Sequence, residues 1–188
     1  EGTSNAVMQR MLGKLPQPQP VPVGGTACIT VADAKGNAAC IVQSTFNPFG
    51  AHFLDPGTGI LFNNRMSGFD HHPGHVNSIT AGGRCAHTLN PVIVTRGNAL
   101  SLVHASPGGV SQTITGMQIL VNVIDRKLDL ASAVADGRWA MDRQGGLLVE
   151  PTVSSAPMPA LAHAGLAPRY VDDPYFYGSA TTIAVAPN

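Results

Sequence analysis

The sequence predicts an α+β fold, a layered sandwich rather than a βαβ winding, and three observations carry that prediction. Strand-like segments come first, two helical patterns follow over 112–139, and strand-like segments return towards the C-terminus. Grouping of this kind, without β-α alternation, is the mark of α+β folds. The strand segments are nearly continuous apolar runs, as in sheets covered on both faces. The apolar content comes mainly from Ala, Val, Ile and Leu, with aromatics at 5% of 188 residues. That length suits one domain with its own core.

Composition also excludes function classes. Charged residues make up 12% of the chain and the formal net charge is zero, which gives neither the basic face of a nucleic-acid binder nor a polybasic membrane patch. No apolar run approaches the ~20 residues of a membrane-spanning helix. The opening residues, Glu1 to Gln9, are polar and lack the basic and apolar regions of a signal peptide.

Residues 1–25 read as a leader. Met8 to Leu15 has the pattern of a helix end. The run from Pro16 to Val23 alternates prolines, which impose an extended path with few internal hydrogen bonds. It reads as a spacer or as an exposed cleavage segment. The domain proper is expected over 26–188. Thr26 to Ala32 alternates as a strand. Asp33-Ala34-Lys35-Gly36-Asn37 is turn chemistry, and Ala38 to Thr45 is a second, mostly apolar strand, expected to be central. A two-residue turn pairs position 26 with position 45, which brings Ser44 or Thr45 close to the Thr26 hydroxyl. Gly59 to Phe62 predicts a short strand. Ser67 to Gly83 is a polar loop. Pro91 to Val94 and Leu100 to His104 are apolar strands around the turn Arg96-Gly97-Asn98. Gln112 to Ile124 predicts an amphipathic helix with Ile114, Met117, Leu120, Val121 and Ile124 on one side. Asp129 to Trp139 predicts a second helix capped by Asp129. Pro159 to Ala164 fits a short helix, and Leu147 to Glu150 and Thr181 to Val185 complete the strands.

The junction Gly25-Thr26 is where chemistry is expected. Cutting there exposes a threonine with a nucleophile and a base on one residue. The hydroxyl attacks a carbonyl while the residue's own α-amine takes the proton. That amine titrates near pH ~8 in model peptides, so a useful fraction is neutral at neutral pH. Ser106-Pro107-Gly108-Gly109 precedes a helix, where glycines let backbone N–H groups approach a developing negative charge. The same run also reads as a simple turn. The cysteines, Cys28, Cys40 and Cys85, are odd in number and form no C-x-x-C. With Cys28 opposite Gln43 and Cys40 opposite Val31, they read as core thiols. His71, His72 and His75, with His52, His87 and His104 elsewhere, have ligand chemistry but no zinc framework. They read as loop residues, and neither metal nor cofactor is expected.

With Thr26, Asn63-Asn64-Arg65 and Ser106-Pro107-Gly108-Gly109 in view, the chain resembles the small subunit of γ-glutamyltranspeptidases and their acylase-like relatives, which are N-terminal-nucleophile hydrolases. The matching stretches keep their order from Gly25 to about Ala186. They are T-x-x-x-x-V-x-D-x-x-G-N-A over Thr26 to Ala38, Gly59 to Asn64, Pro91 to Val94, the Ser-Pro-Gly-Gly run, and Gln118 to Asp125 with Ala131, Ala133 and Arg138. The resemblance implies a four-layer αββα sandwich completed by a large subunit from the same precursor. It implies self-cleavage between Gly25 and Thr26, attack by Thr26 on an amide or γ-glutamyl carbonyl, support from Ser44, and an oxyanion hole at Gly108 and Gly109. Water or an amine acceptor then resolves the acyl-enzyme.

The pocket departs from the family pattern. Gly68 stands where an acidic residue is expected, Phe46 where an asparagine is, and His87-Thr88 where two serines are. Arg65 replaces a neutral glutamine and offers a bidentate contact to a carboxylate; it also reads as a surface or interface ion-pair residue. Strict γ-glutamyl specificity is therefore not expected, and an amidase or acylase acting on a carboxylate-bearing amide fits better. The alternative is an unprocessed or catalytically inactive structural subunit of the same family.

Overall fold

The computed structural model describes residues 25–142, 145–173 and 176–186. The leader expected over 1–25, with its helix end and proline run, therefore lies outside the described residues except for Gly25. The first strands are β1 (Thr26–Ala32) and β2 (Ala38–Ser44), an antiparallel hairpin. Next come β3 (Val92–Arg96) and β4 (Ala99–Ala105), then the helices α1 (Gln112–Ile124) and α2 (Leu130–Ala135). The chain closes with β5 (Trp139–Met141), β6 (Leu147–Val149), α3 (Met158–His163), β7 (Arg169–Tyr170) and β8 (Thr181–Ala184).

The architecture is α+β and layered. Strand β4 is the centre of the sheet β3-β4-β8, and its residues Leu102, Val103, His104 and Ala105 are at most 1% exposed. The hairpin packs on this sheet, with β1 touching β4 and β8 and β2 touching β3 and β4. Helix α1 lies against it too: a Cβ at Gly116 would come within 3.0 Å of the His104 imidazole. Helix, sheet and hairpin thus form three layers. A smaller sheet, β5-β6-β7, flanks α1.

Four expectations about strand pairing and element ends need correction, and a fifth concerns the buried face of α1. The hairpin register pairs Thr26 with Ser44, one residue off the expected partner Thr45, so Cys28 faces Val42 and Cys40 faces Thr30. The cause is the turn. Asp33 binds the Lys35 and Asn37 N–H groups through its carboxylate and pairs with Asn37 along the backbone, leaving Gly36 at φ 83° in a three-residue loop. A glycine accepts that conformation at little cost. Second, β2 is not central; the hairpin is a two-stranded sheet among the described residues. Third, 59–62 is not a strand. It folds back on 51–55 through a single bridge, Leu54 to Leu61, and a few loop hydrogen bonds. Fourth, the second helix stops at Ala135, because Asp136 turns extended and its carboxylate binds Asn122 and Arg126. Trp139 instead opens β5. The Asp129 cap is present and accepts from the Ser132 N–H at 3.0 Å.

Helix α1 has the expected length but buries the other face. Gln112, Thr115, Gly116, Ile119 and Asn122 point inwards, whereas Met117, on the expected apolar side, is 61% exposed. The inward polar groups are held by specific partners: Thr115 Oγ1 donates to the Tyr177 carbonyl at 2.8 Å and Asn122 Nδ2 to the Ala133 carbonyl at 3.1 Å. A similar apolar surface lies on the hairpin's outer face, where Ile29, Val31 and Ile41 are each more than half exposed. Covering one such side chain fully contributes about 1.5–3 kcal/mol. No helix among the described residues is long and apolar enough to cross a membrane.

Candidate active site

The register places the two hydroxyls of interest directly opposite each other at the open end of the hairpin. Thr26 Oγ1 donates to Ser44 Oγ at 3.0 Å. The Phe46 N–H donates to the same Ser44 oxygen at 2.9 Å, which orients Ser44 as an acceptor for the Thr26 proton. Of the two candidates for this contact, it is Ser44 that faces Thr26, while Thr45 turns its hydroxyl to the Gly25 and Asn47 carbonyls. A third group was not anticipated from the sequence. Gln112, the first residue of α1, donates through Nε2 to Thr26 Oγ1 at 3.4 Å. Its signal was position alone, at a helix start just after Pro-Gly-Gly.

The Gly108-Gly109 turn leads into that same helix start. Gly108 has φ 147° and Gly109 φ 57°, two successive conformations that side chains disfavour. Space is short as well. A Cβ on Gly108 would lie 2.9 Å from the Gly178 Cα, and one on Gly178 would lie 1.9 Å from the Pro107 carbonyl oxygen. The crossing is pinned from several sides. Ser106 Oγ donates to the Ser179 carbonyl at 2.7 Å. Arg138 Nη1 donates to the Gly178 carbonyl at 2.6 Å while its guanidinium grips the Glu150 carboxylate. Beside this strap the Tyr177 hydroxyl is held in its neutral form, its pKa pushed up to about 12 by burial and by the nearby Glu150 charge.

Phe46 takes φ 72°, a rare conformation for a bulky residue. Its ring carries the Arg65 guanidinium 4.6 Å above its centroid, within the range of a cation–π contact. Asn64 fixes the two stretches together, accepting from the Asn47 N–H at 3.0 Å and donating its own N–H to the Thr45 carbonyl at 3.1 Å. A short 3-10 turn, Arg65–Gly68, runs from Arg65 to the next group. Gly68 lies against the Ala86 carbonyl. Asn77 clamps both, donating to the Gly68 carbonyl at 2.6 Å and accepting from the Ala86 N–H at 3.0 Å. His87, exposed, and Thr88, half-buried, follow directly. Phe46 with Arg65, and Gly68 with the 86–88 segment, are thus two clusters joined by one turn.

The remaining candidates lie elsewhere. His72 and His75 sit on an exposed loop around Asp70, whose carboxylate meets His72 Nδ1 at 2.7 Å and lies below the usual carboxylate range because it accepts hydrogen bonds there. No group of three or more potential ligands is placed to hold a metal among the described residues. His104 is fully buried, hydrogen-bonded through Nδ1 to Thr182 Oγ1 at 2.7 Å, and burial pushes its pKa down. All three cysteines are free, and burial raises the Cys28 and Cys40 thiols. That leaves them protonated and poorly nucleophilic.

The sequence profile of the γ-glutamyltranspeptidases matches residues 4–188. The chain belongs to the γ-glutamyltranspeptidase family. Within it, the chain is 33% identical over 165 residues to the acylase ACY 1 proenzyme of Pseudomonas sp. (strain V22), covering 87% of this chain and 29% of that protein. It thus spans less than a third of that relative's length. Among solved structures, a mutant of Helicobacter pylori γ-glutamyltranspeptidase superposes with a TM-score of 0.75 at 28% identity, covering 86% of this chain and 91% of that one. Cephalosporin acylase from Bacillus halodurans superposes with a TM-score of 0.77 at 28% identity, covering 97% of this chain and 34% of that one. These neighbours and the layered architecture agree on the N-terminal-nucleophile hydrolase fold.

Proposed function

We propose that this chain is the nucleophile-bearing part of an amidohydrolase or acyltransferase whose precursor cuts itself between Gly25 and Thr26. The observation that carries the reading is the short contact from Thr26 Oγ1 to Ser44 Oγ at the start of β1. Once Thr26 is N-terminal, its amine accepts the hydroxyl proton as Oγ1 attacks a substrate carbonyl. Ser44 and Gln112 hold the oxygen in line. The Gly108 and Gly109 N–H groups stabilise the oxyanion, the largest single contribution in acyl transfer of this kind. The carbonyl re-forms as the substrate nitrogen leaves, carrying the proton that the Thr26 amine took up, and water or an acceptor amine releases the acyl group from Thr26. The large subunit of the same precursor is the partner. Two surfaces await it, the outer face of the hairpin and the exposed side of α1.

The pocket residues favour an acyl group that carries a carboxylate rather than a strict γ-glutamyl group. Gly68 offers no charge to a substrate ammonium, and Phe46 replaces a polar wall by a ring. Arg65, stacked on that ring, keeps the edge of its guanidinium for two parallel hydrogen bonds. His87 and Thr88, next to the Ala86 that Asn77 ties to Gly68, are the further polar side chains in this reading.

Intact mass of the purified full-length protein tests the cleavage. A subunit beginning at Thr26 is expected, and a chain that stays uncut favours the inactive structural subunit instead. Hydrolysis is then compared across amides with and without a carboxylate on the acyl side. In Arg65→Ala, KM is expected to rise roughly 10- to 100-fold for carboxylate-bearing substrates, the loss of a charged hydrogen bond of ~1.5–3 kcal/mol. Neutral amides are expected to change little. An equal loss on both substrate sets removes Arg65 from acyl recognition.

A further inference from the structure

We propose that Thr45 is the oxyanion hole of the self-cleavage step, acting on the Gly25 carbonyl, and that glycine is required at position 25 to leave its hydroxyl room. The inference rests on the reading of Gly25–Thr26 as the processing site. The peptide bond to be cut is held by the exit of β2. The Thr45 N–H donates to the Gly25 carbonyl oxygen at 2.9 Å, and the Gly25 N–H donates to the Phe46 carbonyl at 3.1 Å. Thr45 Oγ1 lies 3.4 Å from the same Gly25 oxygen and 2.9 Å from the Asn47 carbonyl oxygen. A hydroxyl has one proton to donate between these two acceptors. In the resting precursor Asn47 is the nearer one. As negative charge builds on the Gly25 oxygen, that oxygen becomes the stronger acceptor and draws the proton by rotation about a single bond. One residue thereby aims a backbone and a side-chain donor at the atom where charge develops, the arrangement that stabilises tetrahedral intermediates.

The glycine follows from the same geometry. A Cβ on residue 25 would lie 2.0 Å from Thr45 Oγ1 and 3.0 Å from the Asn47 carbonyl oxygen. Gly25 is not among the positive-φ residues, so its backbone is open to alanine; the main obstacle is the Thr45 hydroxyl, and the Asn47 carbonyl oxygen at 3.0 Å is a lesser one. In the reaction, the Thr26 Oγ1–H bond breaks as Oγ1 bonds to the Gly25 carbon, and the carbonyl π pair moves onto the Gly25 oxygen. The pair then returns as the bond from carbon to the Thr26 nitrogen breaks, with the proton delivered to that nitrogen. The product is an ester between Gly25 and Thr26 Oγ1 beside a free Thr26 amine. Water cleaves the ester, leaving a Gly25 carboxylate and the Thr26 hydroxyl. Thr45 lends hydrogen bonds throughout and keeps its own proton.

The test is the time course of cleavage of freshly synthesised full-length precursor, followed by intact mass. Thr45→Val is expected to slow cleavage about 10²-fold, the usual effect of losing one such donor, and Thr45→Ser to cleave near the wild-type rate. The serine variant and the melting temperature of each uncut precursor separate this role from a folding defect. Gly25→Ala is expected to be slow in the wild-type background and to add far less to Thr45→Ala, where only the 3.0 Å approach to the Asn47 carbonyl oxygen remains, because both changes disable the same donor. Wild-type rates in Thr45→Val and Thr45→Ala overturn the proposal, and so does a Gly25→Ala penalty that multiplies fully onto Thr45→Ala. A wild-type precursor that never cuts at Gly25–Thr26 overturns the processing site itself, and the inference with it.

Discussion

Replacing Thr26 by alanine is expected to leave the precursor uncut at Gly25–Thr26 and to abolish amide hydrolysis. Alanine removes the hydroxyl that attacks in both proposed reactions. The fall in kcat should be on the order of 10⁶-fold, the size seen when a hydrolase loses its nucleophile. The effect is larger than that of any supporting residue. In the proposed mechanism Ser44 and Gln112 only orient the Thr26 oxygen, at 3.0 and 3.4 Å, and the glycine turn only stabilises charge. Intact mass reports the first loss, and a sensitive amide assay on the purified protein reports the second. Residual hydrolysis within about tenfold of wild type would remove Thr26 from the mechanism. Intact cleavage in the alanine variant would put the self-cutting nucleophile elsewhere.

Arg138→Ala is expected to be the most destabilising of the substitutions considered, at about 3–5 kcal/mol. Arg138 and Glu150 each leave only 16% of the side chain exposed, and Nη2 meets Oε1 at 2.6 Å while Nε meets Oε2 at 3.1 Å. Removing the guanidinium strands a half-sunk carboxylate whose remaining partner is the residue 138 N–H. It also frees the Gly178 carbonyl, so the strap beneath Gly108 loses one of its anchors. Stability and catalysis should therefore fall together, with kcat reduced in whatever protein remains folded. Denaturant unfolding of the assembled protein measures the first effect. A loss below about 1 kcal/mol would show that the pair is replaceable there.

Much of this fold was legible because its signals are local. The hairpin announced itself by alternation around Asp33-Ala34-Lys35-Gly36-Asn37, and α1 by a run whose ends match the helix residue for residue. The Asp129 cap is likewise a contact between near neighbours. Errors arose where a choice depended on distant residues. The apolar stripe of α1 named the wrong face, because its inner polar groups find partners at Thr26, Ala133 and Tyr177. Hydrophobic periodicity reports which side chains avoid water, but it carries no information on where a buried amide finds its acceptor. The stripe itself faces outwards, towards surface this chain does not cover.

By itself, the sequence determined the α+β class, the strand that begins at Thr26, the glycine turn before α1, and the chemistry an N-terminal threonine makes available. These follow from periodicity, turn residues and side-chain reactivity, all of which act over a few neighbouring positions. Only the tertiary structure decided that Ser44 rather than Thr45 faces Thr26. A single-residue change of register reverses which face every side chain takes, and that register hangs on how the Asp33 carboxylate closes the turn. Likewise only the fold stacks Arg65 on Phe46, sets Gln112 beside Thr26, and presses Gly178 against Gly108. Those contacts join segments 19 to 86 residues apart in the chain, and packing, not local preference, brings them together.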